Sequence, residues 1–138
     1  MKPGILVFAL SAIGISLALA TSNQEYGPNE YTVIDGGLSP DRKYSIAAHG
    51  EGELGYGNFH IYLMNAVTGK KIGPFEEIKD NLDTGADAFY AKWSRDSKEV
   101  AIRYRIDRRE ALEVRYQIDN GRAYLIKGPS KSDGLRFD

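Results

Sequence analysis

Few residues in this 138-residue chain have the types and spacing that chemistry asks for. The two histidines are His49 and His60. With Glu51 or Glu53 they would begin a metal site, but two imidazoles without a third fixed ligand leave the usual tetrahedral set incomplete. No metal ligands are therefore assigned. His60 falls among Phe59, Ile61 and Leu63 in an alternating run and reads as a solvent-facing strand residue. His49 opens a glycine-rich stretch that ends at Asn58. This stretch lacks phosphate-loop spacing and the Lys-Ser/Thr ending. It reads as a mobile hairpin loop that exposes Tyr56 and His49 for contact with a ligand. Asp80 to Asp87 is acidic, but it lacks the alternate-residue oxygens and closing Glu of a helix-loop-helix calcium site, so it reads as a solvated connector. No serine sits in a nucleophile elbow, and Cys is absent. Glu76-Glu77 falls in a connector rather than a cleft. No catalytic residue and no cofactor are expected.

The remaining candidates are basic. Arg103, Arg105 and Arg115 fall on the polar side of two alternating runs, with Arg108, Arg109 and Arg122 nearby. In the first run Val100, Ile102, Tyr104 and Ile106 face one way. In the second, Leu112, Val114, Tyr116 and Ile118 do the same. This is the pattern of strands with one buried and one wet face. Directly paired residues must share a face. A two-residue turn at Arg108-Arg109 breaks that parity, whereas a three-residue loop, Arg108-Arg109-Glu110, keeps it. That loop sets Arg105 opposite Glu113 and Arg103 opposite Arg115. The arginine face then reads either as a site for an anionic partner or as a solvated face that keeps an outer strand soluble.

The elements that must position these residues are all strands. After residue 21 there is no long helical periodicity. Short alternating runs bounded by Gly, Pro, Asn and Asp dominate, in a chain with 15 Gly and 9 Tyr. Eight strands are expected, near 31–35, 43–49, 58–65, 70–75, 88–93, 98–106, 111–118 and 122–127. Phe75, Ile78 and Leu82 would share one face of a short helical turn between the fourth and fifth. A flexible segment over 21–30 and a polar tail over 130–138 flank this β domain.

The first 20 residues have a different character. Lys2 precedes an apolar run from Ile5 to Leu19 that closes on Ala18-Leu19-Ala20, the small-x-small pattern of a cleavable secretory signal. The run is shorter than the ~20 residues of a spanning helix. A periplasmic or secreted protein with no stable membrane anchor after cleavage is expected. With 18 basic against 19 acidic residues, the balance is not that of a dedicated nucleic-acid binder. With no Cys, the fold must rest on its core rather than on disulfides.

The chain also repeats itself. Leu38-Ser39-Pro40-Asp41-Arg42-Lys43-Tyr44 is echoed by Trp93-Ser94-Arg95-Asp96-Ser97-Lys98-Glu99, with Ser and Asp placed to bond backbone N–H groups of a tight turn. Val67-Thr68-Gly69-Lys70 is echoed by Asp119-Asn120-Gly121-Arg122. Asn120-Gly121 is the strongest hairpin signal in the chain. A period of ~50 residues suggests propeller blades or arrays. The two Ser-x-Asp turns resemble the S-P-D-G-K strand-turn of TolB-type and other WD-like β-propeller repeats, and Val67-Thr68-Gly69-Lys70 resembles a later turn of the same repeat. The family's Gly falls at Arg42 and Ser97. The resemblance spans about residues 31–129 and implies blade architecture and protein binding, with no shared catalytic residues. A closed propeller needs at least 4 blades, and two are present. Either several chains complete a ring as a homo-oligomer, or the two sheets pack on each other as a sandwich. The expected function is an exported, non-enzymatic binding protein whose partner is a protein or other macromolecule. The alternative is a small secreted inhibitor or ligand-binding β-sandwich that acts as a monomer.

Overall fold

The computed structural model describes residues 29–51 and 58–137. The expected signal segment 1–20, Tyr56 and most of the glycine-rich loop lie outside the described residues. The fold is all-β. Strands β1 (Thr32–Val33), β2 (Tyr44–Gly50), β3 (Phe59–Asn65) and β4 (Lys71–Pro74) form one antiparallel sheet in chain order. Strands β5 (Phe89–Trp93), β6 (Glu99–Arg105), β7 (Ala111–Asp119) and β8 (Arg122–Lys131) form a second. The sheets pack face to face and do not close into a barrel. The expected helical turn is not a helix. Phe75 and Ile78 are buried through a tight turn in which the Ile78 N–H donates to the Phe75 carbonyl. A 3-10 turn, Ala86–Ala88, leads into β5.

The two turns that begin the repeats fold alike, bond for bond. In each, a serine hydroxyl donates to the aspartate two residues on, at 2.7 Å in both cases. That aspartate accepts the N–H of Lys43 or Lys98, and the serine oxygen accepts the N–H of Tyr44 or Glu99. The residue before each lysine, Arg42 or Ser97, has φ 61°. Those are the two positions where the resembled repeat carries Gly, and the left-handed conformation there is the one that favours it. The first turn also leans on the second, since the Asp41 N–H donates to Ser97 Oγ at 3.0 Å.

The turns fix a correspondence between the sheets in which Tyr44 matches Glu99. Carrying this through the strand registers matches Ile46, Ala48, Ile61 and Leu63 with Ala101, Arg103, Glu113 and Arg115. The first four belong to the shared core, while the last three form the outer, charged face of the second sheet. Conversely Val100, Ile102, Val114 and Tyr116, which are core residues, match Ser45, Ala47, Tyr62 and Met64 on the outer face of the first sheet. The sheets therefore stack head to tail, each using a different face, as successive units of an array do. One apolar layer lies between them, with Phe89, Ile102 and Val114 at 0% exposure. Each side chain of this kind is worth about 1.5–3 kcal/mol when fully buried. Backbone ties reinforce the stack. The Trp93 indole donates to the Gly37 carbonyl at 2.9 Å, and the Ala91 N–H donates to the Asp35 carbonyl at 2.8 Å beside a parallel bridge between Asp35 and Tyr90.

Candidate functional site

The charged outer face of the second sheet is closed on itself. Glu113 stands between two arginines, accepting from Arg103 Nε at 2.8 Å and Arg115 Nε at 3.3 Å. Burial pushes the Glu113 carboxyl up, but the hydrogen bonds and charges of Arg103 and Arg115 outweigh it and leave it below the ordinary carboxylate value. Arg103 also donates to the Arg136 carbonyl at 2.7 Å and lies 4.3 Å over the Phe137 ring. Arg105 donates to the Arg108 carbonyl at 3.1 Å. The C-terminal residues thus fold back over the arginines, and their part is not visible in the polar composition of the tail.

The pairing differs from the expectation. The loop is Asp107-Arg108-Arg109, closed by the Ile106 N–H donating to the Glu110 carbonyl. Arg103 lies opposite Glu113, and Arg105 lies opposite Ala111. Asp107 causes the shift, because its carboxylate accepts the N–H groups of Arg109 and Glu110 and so draws the turn one residue earlier. Parity holds and the buried face is the expected one, but the like-charged pair Arg103–Arg115 does not form.

His49 does not sit on a loop. It lies within β2 opposite His60, half-buried, with its ring stacked on Tyr31 at 4.1 Å and Nδ1 2.8 Å from the Glu30 carbonyl. His60 is exposed, as expected. Among the described residues no three His, Asp or Glu side chains gather as a metal site would require. The acidic connector is occupied by the chain itself. Asp83 accepts the N–H groups of Asn58 and Phe59 at 2.8 Å each and anchors the start of β3.

What the sequence reading missed lies at the outer strands. A cleft of about 340 Å³ opens between β4 and the β7–β8 hairpin, lined by Ile72, Phe75, Glu77, Tyr116, Arg122 and Ala123 among others. Glu76 and Glu77 border it rather than lying in an isolated connector. Glu77 accepts the Tyr116 hydroxyl at 2.9 Å, and burial together with that carboxylate holds the phenol well above its ordinary value. Beside the cleft runs β8, ten residues long and extending past the expected end at 127. Tyr124, Leu125 and Ile126 are 46%, 45% and 48% exposed, three large apolar side chains in a row on an outer strand. The apolar run Tyr-Leu-Ile was the available signal, but on sequence alone it reads as an ordinary core strand.

Comparison with known protein families, characterised proteins and solved structures finds no match. Among the described residues Arg103 and Arg115 share the one carboxylate of Glu113 and Arg105 donates to a carbonyl, whereas the β8 edge presents apolar surface with nothing across it.

Proposed function

We propose that this chain is an exported, non-catalytic binding protein that recognises another protein through the outer strand of its second sheet. The observation that carries this reading is the exposed run Tyr124, Leu125 and Ile126. Tyr124 pairs with Gln117 on the outer face and Leu125 with Tyr116 on the core side, so the run lines both sides of the β8 edge. Large apolar side chains gathered at one exposed edge mark an interaction surface where single ones do not. The head-to-tail stack, with glycine-favouring φ at Arg42 and Ser97, supports the resemblance to propeller-type repeats and the leaning towards protein binding that comes with it. The charged cap on the second sheet favours a self-contained two-sheet unit over ring closure. A further sheet stacked there would have to bury Arg103, Glu113 and Arg115 where the first sheet offers Ala48, Ile61 and Leu63.

The test is chemical cross-linking in the native exported fraction, comparing the natural chain with one carrying Tyr124→Thr, Leu125→Thr and Ile126→Thr. Circular dichroism and thermal melting establish that both are folded. Specific cross-linked protein adducts that vanish in the triple variant support the reading. Adducts unchanged by the triple variant place recognition elsewhere.

A further inference from the structure

Sheets present unpaired backbone groups along their edges, and proteins normally blunt them. Three of the four edges here are blunted. Strand β1 is two residues long, and β4 is four residues long and ends in Pro74. Strand β5 is covered where Asp35 bridges Tyr90 and accepts the Ala91 N–H. Among the described residues β8 alone is a long edge strand, with one neighbour, β7. Its far end is interrupted by Pro129, which has no N–H, so the free stretch is Arg122–Lys127. The hairpin fixes which groups are available. Asp119 and Arg122 flank the two-residue turn Asn120-Gly121, where both φ values are positive, so they face each other as a bonded pair. Alternation then turns the N–H and C=O of Ala123 and Leu125 to the free edge.

Charge selects the occupant. Strand β8 holds Arg122, Lys127 and Lys131 and no acidic residue. Lys131 is paired with Glu110 at 3.4 Å. Among the described residues Arg122 and Lys127 have no carboxylate within ion-pair distance, and Arg115 lies directly across from Lys127. A second copy of this chain added β8 to β8 would bring like charges together, which destabilises a strand pair.

We infer that β8 is a strand-addition site: an extended segment of a partner protein, apolar in its middle and acidic at both ends, pairs its backbone with Ala123 and Leu125 and sets its carboxylates against Arg122 and Lys127. This deepens the binding reading above and rests on it. Main-chain hydrogen bonds supply the grip, and side chains on alternate positions supply selectivity. The two cations are five residues apart along the strand, a span of about 17 Å. An acidic, β-branched strand with that separation between its carboxylates fits them.

The test uses the intact chain and a capped peptide in which glutamates bracket a Val-Thr-Val-Thr core, followed by amide NMR and hydrogen exchange. Binding should shift and protect the amides of Ala123 and Leu125, and should weaken at high salt. Replacing the peptide's glutamates by lysines should weaken it roughly tenfold or more. Alternate N-methylation of the peptide, which removes the main-chain donors and keeps the side chains, should abolish it. Equal binding by the N-methylated peptide would overturn strand addition. So would the absence of peptide binding, or protection of the β8 amides accompanied by dimerisation without peptide. Each of those failures leaves the cross-linking result intact, so a wrong mode of binding is separable from a wrong function.

Discussion

Replacing Arg42 by glycine should stabilise the protein, and the same replacement at Ser97 should not. Both residues sit at φ 61° in turns with the same hydrogen bonds. An L-residue in that conformation costs about 1–2 kcal/mol. Glycine removes this cost but adds about 0.5–1 kcal/mol of chain freedom to the unfolded state. The net gain at Arg42, whose side chain is exposed, is about 0.5–1 kcal/mol. At Ser97 the backbone gain is the same, but the hydroxyl that accepts the Asp41 N–H at 3.0 Å is lost. Ser97 is only 5% exposed, so water does not readily replace it. That loss is about 1–2 kcal/mol, enough to cancel or reverse the gain. Calorimetric melting should show Arg42→Gly rising by roughly 2–5 °C, with Ser97→Gly unchanged or lower. Equal stabilisation of the two variants would refute the role given to the bond between the turns. A fall in Arg42→Gly would refute the strain argument itself.

Other outcomes follow from the same geometry. Gly36→Ala should cost at least about 2 kcal/mol in urea unfolding, because φ is +76° and an added Cβ would fall 2.0 Å from the Ala91 carbonyl oxygen where the sheets meet. Glu113→Gln should cost about 1 kcal/mol, chiefly by weakening the partly buried Arg103 contact and less through the exposed Arg115, and the cost should shrink in an Arg103→Gln background, as a double-mutant cycle would show. Backbone hydrogen bonding from Lys43 and the Ser39 hydroxyl hold Asp41 below its ordinary 3.8. Ser94 and the Lys98 N–H do the same for Asp96. Their stabilisation is present above the ordinary value and is lost as pH falls through the lower folded values. Asp41→Asn and Asp96→Asn should therefore flatten the loss of stability below about pH 4.

The sequence was most legible where side chains act on their own backbone. The Ser-x-Asp turns, the Asn120-Gly121 hairpin and the two-residue alternation of β6 and β7 all follow from local chemistry, and the eight strands fall where that chemistry puts them. Legibility failed where a second local group competed. Asp107 drew the turn one residue earlier and exchanged Arg115 for Glu113 as the partner of Arg103. It failed again where distant parts meet. Nothing local says that His49 would stack on Tyr31, or that Phe137 would lie under Arg103. The head-to-tail stack explains the arginine face. Its residues occupy positions that are core in the first sheet, and among the described residues no sheet covers them, which leaves them free to be charged. The β8 edge was hidden for the opposite reason. Tyr124, Leu125 and Ile126 have core-like composition, and only topology shows that β8 has one neighbour.

Site-specific photocross-linking tests the central claim most directly. A benzophenone amino acid would replace Tyr124 in one form of the chain and Arg105 in another. Irradiation in cells that produce the protein should give discrete protein adducts from position 124 and none from position 105. Adducts from position 105 alone would contradict recognition at the β8 edge and return the arginine face as the binding surface.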